Sequence, residues 1–199
     1  MFSPEYLHIT GGMLTQVPKL CIAPKLREIR FAYHPLATIE PNAFQHLPNL
    51  ESLDLAGNGL ESTLKVLETD VLAMKAVNFS LLEMGYFESL ESFAPNFISN
   101  IQPHTFLNFL DDGVGTIPEV VFREMFETML TSPDHGHVSF GRNPLKCDCS
   151  IAWLVLEPHF LAVIDWQGAS SYNRPVCKDG TLVADLDPVI LGELCPPSL

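Results

Sequence analysis

The chain has 199 residues, 47% of them hydrophobic and 18% charged, and is therefore large and apolar enough to fold around a sizeable core. Twenty-four acidic residues against eleven basic ones give a formal net charge of −13, so we expect no nucleic-acid partner and no attraction to anionic lipid. The longest apolar run, residues 151–164, is interrupted by Glu157, Pro158 and His159 and falls short of the ~20 residues of a membrane span. We therefore expect no membrane span.

Apolar residues recur along the N-terminal half with a regular spacing. Leu7, Ile9, Leu14 and Val17 indicate a partial first coil. Three triplets with the pattern Leu-x-x-Leu-x-Leu follow at intervals of 24 residues: Leu26, Ile29 and Phe31; Leu50, Leu53 and Leu55; Met74, Val77 and Phe79. Unrelated amphipathic segments would not keep one period, whereas this pattern is typical of leucine-rich repeats. Asn58 follows the second predicted strand, where its amide is expected to bond backbone groups of neighbouring coils.

A second phrase is interpreted as the return of each coil along the convex side. Residues 36–44, 98–106 and 114–122 share apolar residues at their first, fourth and ninth positions. The last coil carries Val138, Phe140, Asn143 and Leu145 in the strand register. Together these patterns predict an α/β leucine-rich-repeat solenoid over residues 1–142, with short parallel strands on its concave face and an irregular or short-helical convex side.

The middle of the predicted array does not keep the period. Only 16 residues separate Ile98 from Val114, fewer than the ~20 that one coil of this repeat needs. We therefore expect shortened or irregular coils between 81 and 113, either natural or left by a deletion. The sequence also starts within a coil, and neither an export signal nor a cysteine cap is visible there. We expect it to be a fragment of a longer exported protein.

Four cysteines lie in the C-terminal quarter, two of them in the stretch NPLKCDCSIAWLV at 143–155. Read as disulfides, the four cysteines Cys147, Cys149, Cys177 and Cys195 can pair in three ways. A zinc site fits the Cys-x-Cys spacing poorly, and a redox pair is more often Cys-x-x-Cys beside a βαβ unit. A short helix around 150–156 is expected to lay Ile151, Trp153 and Leu154 over the edge of the last coil.

This stretch resembles the C-terminal cap of extracellular leucine-rich-repeat proteins. The matching residues are Asn143, Pro144, Cys147, Cys149, Trp153, Leu154, Cys177 and Cys195. The resemblance implies a disulfide-bonded cap over 143–199, with Cys147 joined to Cys177 and Cys149 to Cys195, and Trp153 and Leu154 in its core. Because disulfides persist in oxidising compartments, it also implies an extracellular location. Cys21 is left over and is expected to be a buried free thiol.

The cap sequence resembles a narrower group as well. CDCSIAWLV at 147–155 and CKDGTLVADLDP at 177–188 are similar to arthropod leucine-rich-repeat proteins related to the non-catalytic subunit of the Oplophorus-type shrimp luciferase. The resemblance implies a protein that is not an enzyme, holds no cofactor and has the catalytic subunit of a heteromeric complex as its partner.

Residues that could carry chemistry are few. His135 and His137, beside Asp134, are placed by the register in packing and surface roles. Asp111 with Asp112, and Asp185 with Asp187, lack the loop spacing of a calcium site. We therefore predict no catalytic, cofactor or metal residues. Asn78 begins an Asn-Phe-Ser triplet and is a glycosylation candidate.

The outward-facing residues of the predicted strands form the candidate binding surface, because a solenoid presents a broad curved sheet to its partner. They are Glu28, Arg30, Ser52, Asp54, Asn78, His137 and Ser139. The leading hypothesis is a secreted, non-catalytic protein-binding module, in its narrower form a stabilising subunit of a luciferase-like monooxygenase complex. The alternatives are an adhesion or immune-recognition repeat protein, a chain that itself oxidises the luciferin, and a truncated fragment without independent function.

Overall fold

The computed structural model describes residues 4–58, 62–164, 170 and 172–195. Its backbone winds as a succession of coils, each of which contributes one strand to a parallel six-stranded sheet in the order β1-β3-β5-β7-β9-β10. These strands are β1 Tyr6–Thr10, β3 Glu28–Ala32, β5 Ser52–Asp54, β7 Leu81–Glu83, β9 Phe106–Asn108 and β10 His137–Ser139. The predicted solenoid, with its parallel strands and disulfide-bonded cap, is confirmed.

The register of the sheet follows from one apolar residue per coil. Leu53 pairs with Ile29 on one side and Leu82 on the other, and Leu82 pairs in turn with Leu107. Each of these side chains is fully buried, while the residues on either side of it point out of the solenoid. A slip of one residue would turn the buried row into solvent, so the apolar pattern fixes the register.

The convex side is built from short strand pairs and turns. Strands β2 Gln16–Val17 and β4 Thr38–Ile39 pair with each other, as do β6 Val66–Leu67 and β8 Ser92–Phe93. Asn42, Asp70 and Asn96 turn the chain after β4, β6 and β8 with positive φ angles, and the N–H of each of the first two donates to the carbonyl of the next. Asn and Asp tolerate this left-handed conformation better than other non-glycine residues.

Helix α1, Glu119–Met129, replaces the short strand in the fifth return. It buries Phe122, Phe126 and two methionines against the interior of the solenoid. Phe122 contacts Phe93 and Phe140 edge-on, with ring centroids 5.2 and 5.4 Å apart. The array thus gains a thicker, aromatic core toward its C-terminal end, where the coil must accommodate a helix.

The predicted position of the third strand is wrong. Met74 and Phe79 are buried as expected, but Val77 and Asn78 form an exposed turn, and the strand is β7 at 81–83. Phe79 occupies the first apolar position of this coil rather than the last. The step along the chain from Leu53 to its partner Leu82 is therefore longer than the step from Ile29 to Leu53.

The shortened coils expected between 81 and 113 are also absent. That stretch holds β7 and β9 in direct pairing, with Leu82 opposite Leu107, so a full coil fits between them. The return in this coil is 90–98, where Phe93, Pro95 and Asn96 repeat the arrangement of Ile39, Pro41 and Asn42. Residues 98–106 do not form the predicted return but lead from residues 90–98 into β9.

A ladder of polar side chains occupies the ninth position of several coils, inside the turn that follows the strand. Asn58 Oδ1 accepts from the N–H of His34 at 2.5 Å, and its amide donates to the carbonyl of Phe31 at 2.7 Å. Asn143 accepts from Val114 N–H at 3.0 Å and donates to the carbonyl of Phe109 at 2.6 Å. These bonds satisfy backbone groups that the core would otherwise leave without partners.

The residues after 143 cover the C-terminal edge of the sheet. Helix α2, Ala152–Leu156, is followed by a 3-10 turn at Pro158–Phe160, by α3, Leu161–Ile164, and later by α4, Pro188–Leu194. Ile151 and Leu154 are fully buried, and Trp153 is nearly so. The division into repeats at 1–142 and cap at 143–199 stays a prediction. Within the described part of the chain, no helix has both the length and the apolar character to cross a membrane.

Candidate functional site

The N-terminal half of the concave face is an open strip of charged side chains. His8 lies 2.7 Å from Glu28 on the next strand, and Arg30 Nε lies 3.1 Å from Asp54 Oδ2 on the strand after that. All four side chains remain partly or largely exposed, so the solvent screens these pairs and they contribute little to stability. The strip therefore keeps charges of both signs available to a partner.

The polar strip continues onto β7 and β9, two strands whose positions were not predicted from the sequence. Glu83 of β7 is half-buried and accepts a hydrogen bond at 2.7 Å from Asn108 of β9. Burial raises the pKa of the Glu83 carboxyl, the Asn108 hydrogen bond opposes the rise, and the charge of Asp54 adds to it. These two residues extend the candidate surface. Correct placement of the third coil would have found them, because they occupy the same coil position as Arg30 and Asp54.

Asn78 does not lie on the concave face. It is exposed in the turn at 77–78, because it precedes Phe79, the residue at which the coil of β7 begins. Ser52 does face the concave side, half-buried on β5 between Glu28 and Leu81.

Ser139 does not belong to an open surface either. It is fully buried on β10, because α3 of the cap packs on this strand. His137, two residues earlier, is half-buried and hydrogen-bonds the backbone of Ala162 in α3. Burial lowers the pKa of His137, and His135, whose ring centroid is 5.0 Å away, lowers it further. The concave face is therefore closed at its C-terminal end.

Two exposed aromatic residues flank the charged strip. Tyr33 and Tyr86 stand just beyond the ends of β3 and β7, with φ angles of 64° and 72°. A bulky residue is uncommon in this left-handed region and calls for an explanation from its surroundings. Gly57 holds the same position in the coil between them, and a side chain there would meet the Tyr33 ring at 3.0 Å. The absence of a side chain at Gly57 thus leaves room for the Tyr33 ring.

Two disulfides fasten the cap. Cys147 is bonded to Cys177 and Cys149 to Cys195, the pairing that the resemblance implies. Trp153 Nε1 donates at 2.9 Å to the carbonyl of Ile117, which ties α2 to the last return. Cys21 is a free thiol, and the expectation that it would be buried is wrong, since its side chain is exposed.

The candidate carboxylates have structural roles. Asp187 accepts from the N–H of Val189 at 2.8 Å and caps α4, while Asp111 pairs with Arg142 at 2.9 Å. Asp112 is buried in the ninth position of its coil, where it accepts from Phe87 N–H at 2.6 Å. Among the described residues, no group of three or more His, Cys, Asp or Glu side chains is arranged to hold a metal ion.

Comparison with known proteins agrees with this geometry. Residues 5–60, which contain the sheet strands β1, β3 and β5, match the family model described as leucine rich repeat. The structure is a leucine-rich-repeat solenoid. Helix α1 lies in the segment that joins β9 and β10, the last two strands of the sheet.

The chain is similar to the Oplophorus-luciferin 2-monooxygenase non-catalytic subunit of Oplophorus gracilirostris, with 26% identity over 161 residues. The match covers 80% of this chain but only 40% of that protein, so the chain spans less than half the length of this relative.

Among solved structures, the solenoid is similar to human 5T4, also named Wnt-activated inhibitory factor 1 or trophoblast glycoprotein. The identity is 17%, the TM-score is 0.39, and the match covers 94% of this chain and 87% of that one. It is also similar to a chain of the mouse RP105/MD-1 complex, with 13% identity, a TM-score of 0.34 and coverage of 85% and 40%.

Proposed function

We propose that the chain is a non-catalytic protein-binding module of an exported protein, and that its partner binds the concave face. The observation that carries the proposal is the partly exposed strip of Glu28, Arg30, Ser52 and Asp54, which presents charges of both signs on the sheet. Surfaces of this kind gain specificity and association rate from complementary charge. Tyr33 and Tyr86 add exposed aromatic area at the edge, and tyrosine is enriched among the residues that dominate binding energies.

An extracellular location is supported by the cap. Its two disulfides close loops of 30 and 46 residues, and such bonds persist in oxidising compartments. In the cytosol the same thiols would be kept reduced, and the cap would lose its cross-links.

The narrower proposal concerns the partner. Similarity to a protein named as the non-catalytic subunit of a luciferin monooxygenase supports a stabilising role beside a catalytic subunit. The chain itself then needs no catalytic residues, and the purified chain mixed with the luciferin is expected to emit no light.

Arg30 and Lys65 offer a matched test of the concave face. Each is the cation of one ion pair, Arg30 with partly buried Asp54 on the concave side and Lys65 with exposed Glu91 on the opposite side. The immobilised chain is titrated with the catalytic subunit of the shrimp monooxygenase. We expect Arg30→Ala to weaken binding by about tenfold, which corresponds to ~1.4 kcal/mol, and Lys65→Ala to leave it unchanged. Equal affinity of the two variants would exclude the concave face, and a wild-type chain that does not bind would exclude this partner.

Asn78 is proposed to be glycosylated in the exported protein. Its exposed position in the turn at 77–78 leaves room for a glycan, and the acceptor triplet continues through Phe79 and Ser80. Expressed through a eukaryotic secretory pathway, the chain is expected to lose the mass of one glycan when treated with an endoglycosidase. Asn78→Gln is expected to abolish that loss, and an unmodified wild-type chain would contradict the proposal.

A further inference from the structure

A second recess lies away from the concave face, between α1 and the cap helices α2 and α4. Its volume is about 1380 Å³, and it is open to solvent. Its lining includes Val120, Arg123, Glu124, Glu127, Leu156 and Leu194. We call this recess the cap groove.

The cap groove exposes apolar side chains. Val120 on α1, Leu156 on α2 and Leu194 on α4 are 78%, 42% and 69% exposed. Val189 and Ile190, elsewhere on α4, are also exposed. Apolar residues that line one recess on three different helices are more informative than single exposed ones, because a contiguous patch marks an interaction site.

The walls of the cap groove are acidic. Arg123 is the one cation among its described lining residues, and it is already engaged by Glu119 at 2.6 Å, by Glu127 at 3.7 Å and by Glu157. It also lies 5.5 Å from the centre of the Trp153 ring and 5.1 Å from that of Phe160. Glu124 also lines the groove, so that four glutamates in all accompany a single arginine. The groove therefore has an excess of negative charge.

This charge decides which occupant suits the groove. A second copy of the chain would bring the same glutamates together, and like charges at an interface disfavour association. A segment with apolar residues on one face and Lys or Arg beside them would satisfy both the exposed apolar floor and the carboxylates on the walls.

We propose that the cap groove binds a basic, amphipathic segment of a partner protein. The apolar residues of this segment contact Val120, Leu156 and Leu194. Its Lys or Arg side chains pair with the carboxylates of Glu124, Glu119 and Glu127. The Cys149–Cys195 disulfide lies in one wall, and the Arg123–Glu157 pair ties α1 to α2. The groove is therefore preformed, which reduces the entropy lost on binding.

The test uses a model peptide of known chemistry. A 14-residue helical peptide of Leu and Lys, with Leu at the spacing i, i+3, i+4 and i+7, is labelled and titrated with the chain by fluorescence polarisation. Binding is expected for this peptide, and neither a peptide of the same composition without a helical apolar face nor a Leu and Glu analogue is expected to bind. Absence of binding by the Leu and Lys peptide would overturn the proposal.

Val120 and Val77 provide a matched pair of variants, because both are exposed valines, at 78% and 63%, and only Val120 lines the groove. We expect Val120→Lys to weaken peptide binding at least tenfold and Val77→Lys to change it less than twofold. Equal effects would show that the peptide senses only net charge and would overturn the proposal. Glu124→Gln compared with Glu68→Gln repeats the test without a change of side-chain size, and thermal melts confirm that each variant folds. None of these residues lies on the concave face, so failure here leaves the proposed function untouched.

Discussion

Replacing Cys147 and Cys177 together by serine is expected to lower the free energy of unfolding by about 3 to 4 kcal/mol, since the bond closes a loop of 30 residues. The bond joins the end of the last coil to the second half of the cap. Next to it, Lys178 N–H donates to the carbonyl of Leu145 at 3.1 Å, and Leu145 pairs with Cys177 as an isolated bridge. Loss of the cross-link therefore frees the segment that holds the edge of the solenoid.

Removal of Cys149 and Cys195, whose loop spans 46 residues, is expected to cost a similar amount. The loss of both bonds would remove a large part of the total stability of a folded domain, which is commonly about 5 to about 15 kcal/mol. The measurement is urea unfolding followed by circular dichroism. Cys21→Ser is the matched control, because this exposed thiol is unpaired and its replacement is expected to change stability by less than ~0.5 kcal/mol. If a variant that lacks either cysteine pair were as stable as Cys21→Ser, the stability of the cap would not depend on that disulfide.

Asp112→Asn is expected to raise the free energy of unfolding by about 1 to 3 kcal/mol at neutral pH. Asp112 holds the ladder position that Asn58 and Asn143 hold in other coils, and its Oδ1 accepts the same type of backbone bond. Its Oδ2, however, is buried without a partner. An amide nitrogen in its place could donate to the carbonyls of Met84 and Phe109, which correspond by register to those that Asn58 and Asn143 contact.

The same substitution is expected to remove a dependence of stability on pH. Burial raises the pKa of the Asp112 carboxyl well above its ordinary value, the Phe87 N–H opposes the rise, and the charge of Asp111 adds to it. Between the unfolded pKa, ~3.9, and the folded pKa, the folded state holds a proton that the unfolded state has lost. Stability from this group is therefore greatest below the unfolded pKa and falls as the pH rises toward the folded one.

Thermal melts at a series of pH values check this prediction. The difference between Asp112→Asn and the wild type should grow from about pH 4 upward and level off above the folded pKa. Asp111→Asn is the matched control, since Asp111 is only half-buried and pairs with Arg142 at the surface. A constant difference across the pH range would show that Asp112 does not titrate differently in the folded state.

The sequence predicted the fold because one buried residue per coil, such as Ile29 or Leu53, sets the sheet register. The third coil was misplaced because Met74, Val77 and Phe79 fit the strand pattern as well as Phe79, Leu82 and Met84 do. Phe87 then stands where a ladder asparagine would have marked the correct frame. The turn APN at 94–96, which repeats EPN at 40–42, was the signal that could have corrected it.

The candidate surface was predictable where it depends on register alone. Glu28, Arg30, Ser52 and Asp54 lie as expected, because they alternate with buried residues on strands of known phase. The burial of Ser139 could not be predicted, since it depends on α3, a helix of the cap that folds back over the strand. The repeat spacing reports contacts between adjacent coils and contains no information about a cap helix that packs on a strand.

Because α3 packs on β10, the two ends of the sheet differ in how open they are to solvent. A ligand that follows the curved sheet toward the cap meets a helix, whereas toward β1 it finds charged side chains open to water. If the proposed partner binds this face, its contacts are therefore expected to centre on the first coils rather than on the coil next to the cap.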